Sequence, residues 1–152
     1  MQQTTNINKY IINFTLGYVI GLIALTIIFH FLNLENNSGA SIGVLIGAAM
    51  FSAGKFIQDH KRVPDKKEKS RLVWTSLAIS WLVSIVLLIA SVLIFDGQQG
   101  LNDLSLLIQE LNALIITGII VFLSLIQFLV LSFSYGYLAQ KQYTGLKKRG
   151  KI

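Results

Sequence analysis

The chain contains no cysteine, a single proline and few charges. Without cysteine there are no disulfides, no thiolate metal sites and no thiol nucleophiles. Only 13% of its 152 residues are charged, against about 25% in an ordinary soluble domain. No Asp, Glu or Arg falls inside the four long apolar stretches, and the one Lys, Lys55, sits at the inner end of the second, where the basic connector begins. Ionisable side chains within spans are the usual markers of transport paths and proton relays. A small proton-coupled exporter of four helices, the natural analogy by size, would therefore lack its embedded acid. Hydroxyl-based nucleophilic catalysis needs a base within reach, and the many serines here have no buried base, the one histidine of the apolar stretches, His30, lying toward the outer end of the first. Intramembrane metalloproteolysis would need His, Asp or Glu ligands, which are missing too. The expectation is a protein that is not an enzyme, with no cofactor and no metal.

Apolar residues make up 53% of the chain, and mean hydropathy is +0.64. Several uncharged runs exceed the roughly 20 residues needed to cross a bilayer. The fold expected is all-α: one domain, an integral membrane bundle of four transmembrane helices at about 10–34, 40–57, 72–95 and 111–138. The first run is too long for the 7–15-residue core of a signal peptide. It also contains Gly17, Thr26 and His30, so it reads as an uncleaved helix. Residues 101–111 place Leu101, Leu104, Leu107, Ile108 and Leu111 on one face, the pattern of a short interfacial helix. Whether it runs straight into the fourth span stays open at this point. Tyr135, Tyr137 and Tyr143 would form an aromatic belt at that span's inner end.

The stretch that orders the rest is the connector 58–71 with its approach from Lys55. Residues 55–71 hold seven of the thirteen Lys/Arg residues and Pro64. The N-terminal segment carries Lys9, and the basic tail 141–152, read as mobile, carries the other five. The connectors 34–39 and 96–110 carry no Lys or Arg. Lys/Arg bias sets orientation, so the chain should run up-down-up-down with both termini cytoplasmic. The basic ends should meet anionic lipid headgroups of the bilayer. Nucleic acid is not an expected partner. Pro64 ends the second helix, and Asp65 with Glu68 three residues on has the form of a capping box opening the third.

Small residues mark where helices could pack. Gly17 and Gly21 form a GxxxG pair, and Gly39, Gly43 and Gly47 repeat at four. Close backbone approach at such positions drives association in lipid, where tails are as apolar as leucine. Gly39, Gly43 and Gly47 should therefore lie inside the bundle or at a dimer face. Ser76, Ser80, Ser84 and Ser91 share a face of the third helix. Gln127, deep in the fourth, needs a partner in a dry environment, and that serine face would supply one; the alternative is a substrate cavity lined by Gln127. His30, near the outer end of the first helix, reads as an interfacial histidine or as a proton-sensitive site.

Arg62, Asp65, Glu68 and Arg71 cluster both signs of charge around Pro64. That is more patterned than orientation requires, and suggests a salt-bridged gate or a partner-docking site. The string Phe56…Arg62-x-Pro64-x-x-x-Glu68, followed by a helix opening at Leu72, resembles an uncharacterised family of small four-helix bacterial inner-membrane proteins. The resemblance implies a bacterial inner-membrane location and carries over no activity and no site. Two functions follow as expectations. One is a protein that works by helix packing, as a homo-oligomer or an accessory subunit of a membrane complex. The other is a small transporter or permeation protein for a neutral or apolar solute.

Overall fold

The computed structural model describes residues 6–32 and 38–152. Most of the 34–39 connector and the side chain of His30 lie outside the described residues. The described residues contain helices and no strand. The elements are α1 (Asn8–Leu32), α2 (Ser38–His60), α3 (Lys66–Phe95), α4 (Gly97–Glu110), α5 (Ala113–Phe133), a π-helical turn (Ser134–Leu138) and α6 (Ala139–Lys148). Among the described residues four helices are long and apolar enough to cross a membrane: α1, α2, α3 and the continuous rod Ala113–Lys148.

Several boundaries differ from those expected, each for a local reason. α2 reaches His60 rather than 57, because nothing before Pro64 interrupts the ladder. Lys61 then adopts a left-handed conformation (φ 54°) that turns the chain out of the helix. α4 is a separate helix. Leu111 and Asn112 are extended, and the Asn112 side chain accepts from the Leu114 amide at 2.9 Å, restarting the chain as α5. α4 is strongly amphipathic and has no buried residue, as an interfacial helix would.

The 141–152 tail, expected to be mobile, is helical through Lys148. It closes on Gly150, whose φ of 64° lets Lys151 N–H reach the Leu146 carbonyl and Gly150 N–H the Lys147 carbonyl, both at 3.1 Å. This is the usual glycine-centred helix stop. Tyr143, Leu146 and Ile152 pack against the core. Tyr135 is not a belt residue either: it is buried, whereas Tyr137 is exposed.

The core occupies one end of the bundle. Its buried side chains include Tyr10, Phe14 and Tyr18 of α1, Ala48, Ala49, Ala53, Phe56 and Ile57 of α2, Leu72 and Val73 of α3, and Leu131 at the end of α5. Among the residues whose burial is described, none is buried beyond Tyr18 in α1, beyond Ser80 in α3 or before Leu131 in α5. α2 makes the packed end tight because its buried face carries alanines and Ser52. Aromatic rings from α1 fill the space, with Phe14 stacked on Tyr18 at 5.7 Å. The GxxxG pair supports the same contact. A methyl on Gly17 would touch Ala48 at 3.5 Å, and one on Gly21 would stand 2.6 Å from Val44 Cγ1. The close approach of α1 to α2 thus leaves no room for a methyl at position 21 unless Val44 shifts.

Candidate functional site at the basic end

The packed end is also the basic end. Lys9, at the start of α1, pairs with Asp59 near the end of α2 at 2.8 Å. α6 lies beside α2, with Gln142 over Gly54, and Lys69 of α3 lies over Gly136 of the π turn. Lys9, the connector and the beginning of the tail therefore gather at one end.

The connector is locked rather than loose. Asp65 Oδ1 accepts from the Glu68 amide at 2.8 Å, and Glu68 Oε2 accepts from the Asp65 amide at 2.8 Å, completing the capping box expected there. Arg62 adds both arms of its guanidinium, with Nη1 donating to Glu68 Oε2 at 2.6 Å and Nη2 to Oε1 at 2.7 Å. Nη1 also reaches the Val63 carbonyl at 3.1 Å. The guanidinium lies 5.2 Å from the Phe56 ring centroid, within cation–π range. Bonding to Glu68 raises the Arg62 pKa above its ordinary value, against the opposing effect of partial burial. Pro64 is buried beneath this arrangement, while Arg71 is exposed. Arg62, Pro64, Asp65 and Glu68 thus form one unit, and Arg71 stands apart from it.

Next to the lock is a polar cluster that sequence reasoning missed. The Tyr10 hydroxyl donates to Asp59 Oδ2 at 2.9 Å and lies 3.0 Å from His60 Nε2. With its proton turned to the carboxylate, the phenol oxygen accepts from the imidazole, so Nε2 carries hydrogen in this arrangement. The Phe56 ring lies against both Tyr10 and His60, at 5.0 and 4.6 Å. A spacing of four among Tyr10, Phe14 and Tyr18 was the available signal of an inward aromatic stripe. Its partners come from the other end of the next helix, about fifty positions away, which no local pattern displays.

Ser76, Ser80 and Ser84 of the serine face meet neighbouring helices, whereas Ser91 is half-buried and donates to the Leu88 carbonyl of its own helix. Ser76 Oγ is 3.0 Å from the Tyr135 hydroxyl, and Ser80 Oγ lies 3.1 Å from Gln127 Oε1 and 2.9 Å from the Leu77 carbonyl. Ser84 Oγ approaches the Tyr18 hydroxyl at 3.4 Å. Gln127 therefore finds a partner on α3. Ser52 Oγ donates to the Tyr10 carbonyl at 2.7 Å, joining α2 to α1.

The remaining glycines divide. Gly43 and Gly47 lie on an exposed face of α2, where an added methyl would meet nothing within 4 Å. They are not inside this bundle. Gly39 is exposed at the start of the same helix. At the other end, a cleft of about 760 Å³ opens between α1 and α3 beside Ser41 of α2, lined by apolar side chains with Thr26, Ser84 and Ser91 among them. Among the described residues no group of three His, Asp or Glu side chains could hold a metal ion.

Neither a family model, a curated protein nor a solved structure matches the chain.

Proposed function

We propose that the chain is a four-span membrane protein that works through helix packing, as a homo-oligomer or an accessory subunit of a membrane complex, without catalysing a reaction. The exposed Gly43–Gly47 face of α2 is the observation that carries this reading. It offers a surface that another helix could approach at backbone distance, and the fold makes no use of it. Lipid tails fill such a face no better than a neighbouring helix does, so association rests on fit. Gly43→Ile with Gly47→Ile should abolish self-association or co-purification of a complex while leaving the monomer folded. Unchanged assembly would sink the idea.

The same reading runs the spans up-down-up-down with both termini cytoplasmic, in a bacterial inner membrane. The pairing of Lys9 with Asp59 and the Lys/Arg bias support it. Reporter fusions after residues 37, 63, 99 and 152 should read outside, inside, outside, inside, and any other order would refute the topology.

The 760 Å³ cleft favours a second reading, passage of a neutral or apolar solute. In that case Ser84, Ser91 and Thr26 line the path rather than Gln127, whose amide is bonded to Ser80. Solute flux in liposomes unaffected by Ser91→Leu and Thr26→Leu would count against it.

A further inference from the structure

A second groove lies at the basic end, between the first turns of α3 and the last turns of α5. It measures about 250 Å³, and its lining is divided by character: Lys66, Lys69 and Ser70 at one end, Val73, Phe128 and Ser132 at the other. That volume is roughly eight waters' worth. It suits a headgroup and the first carbons of a chain rather than an entire lipid. Trp74 extends the apolar end, tilted against Phe128 at 5.1 Å and largely exposed on its outer side.

Lys69 is the built part of this groove. It is half-buried, and it lies across the π turn where residue 136 is glycine; a methyl there would stand 2.6 Å from its Nζ. Nearby carboxylates are committed elsewhere, Glu68 to Arg62 and Asp59 to Lys9. Among the described residues neither Lys66 nor Lys69 has a carboxylate ion pair. Lys66, Lys69 and Ser70 thus line one small cavity together with Val73 and Phe128, beside the exposed Trp74.

We propose that this groove holds one anionic phospholipid, its phosphate between Lys66, Lys69 and Ser70 and the start of an acyl chain along Val73, Phe128 and Trp74. Charge complementarity supplies the recognition. The apolar lining selects a lipid over a free anion, since a soluble phosphate would leave that lining without a partner. Basic pockets between helices at the headgroup level are suited to such ligands. The inference rests on the reading that this end meets a headgroup layer, and it adds a defined stoichiometric site to that general contact.

The test uses the full chain carrying Trp81→Phe, leaving Trp74 as the single indole. Trp81 Nε1 has no hydrogen-bond partner, so the change breaks no hydrogen bond. The protein is reconstituted in phosphatidylcholine vesicles with a minor fraction of phosphatidylglycerol, bromine being placed on the chains of one lipid or the other. Brominated phosphatidylglycerol should quench Trp74 more per mole than brominated phosphatidylcholine, by on the order of fivefold. Lys66→Gln with Lys69→Gln should remove the preference, and Lys147→Gln with Lys148→Gln should keep it. Equal quenching by both lipids overturns the proposal, as does loss of preference in the tail variant alone. Loss of preference on adding inorganic phosphate at constant ionic strength assigns the groove to a soluble anion and overturns the lipid. Absence of quenching by either lipid defeats the membrane reading itself, a different outcome from equal quenching.

Discussion

Arg62 grips Glu68 through two parallel hydrogen bonds, at 2.6 and 2.7 Å, across the one proline of the chain. The contact joins the end of α2 to the first turn of α3 and so sets the direction in which the chain re-enters the bundle. Glu68 is largely buried while Arg62 is half exposed, so the carboxylate depends on the guanidinium more than the reverse. Arg62→Ala should destabilise the protein by about 1.5–3 kcal/mol, the range for hydrogen bonds to a charged partner. Arg62→Lys keeps the charge but not the planar fork and should recover only part. Unfolding midpoints in detergent would show the order wild type, Lys, Ala. Equal midpoints would mean the lock contributes nothing.

Asp65 acts on the same turn through the backbone. Asp65→Ala removes the acceptor for the Glu68 amide and should cost about 1 kcal/mol. Asp65→Asn or Asp65→Ser should recover most of it. Hydrogen exchange at the amides of residues 66–69 is the direct readout, and should quicken in the alanine variant alone.

The two glycine faces should separate cleanly. Gly21→Ala drives a methyl to 2.6 Å from Val44 Cγ1 and should cost about 1–3 kcal/mol through overpacking. Gly43→Ala meets nothing within 4 Å and should leave monomer stability unchanged or slightly raised. Thermal denaturation of the two variants in the same detergent checks this. A larger loss at Gly43 than at Gly21 would reverse the assignment of the faces.

Gln127→Leu removes the partner of Ser80, while Ser80 retains the Leu77 carbonyl. The expected cost is about 0.6 kcal/mol, the typical worth of an interhelical hydrogen bond in a membrane protein. Ser80→Ala in the Gln127→Leu background should then cost little more. A double-mutant cycle with no coupling between the two would refute the contact.

Some of this was legible in the residues taken in order. Long uncharged runs, Asp65 three positions before Glu68, and a lone Pro64 act through their neighbours in the chain, and they marked the four apolar helices and the cap of α3. The need of Gln127 for a partner was legible for the same reason: a primary amide in an apolar run must be satisfied somewhere, and a serine face stood on the preceding span. Other features depend on residues far apart. Tyr10 meets Asp59 and His60 only because the start of α1 lies beside the end of α2. Lys69 crosses Gly136 only because the π turn is there to receive it. Gly43 and Gly47 carry the same spacing as Gly17 and Gly21, yet one pair is exposed and the other packed. Spacing assigns residues to a face of their own helix; which neighbour that face meets is decided by side-chain fit across helices, and that exists only in the folded chain.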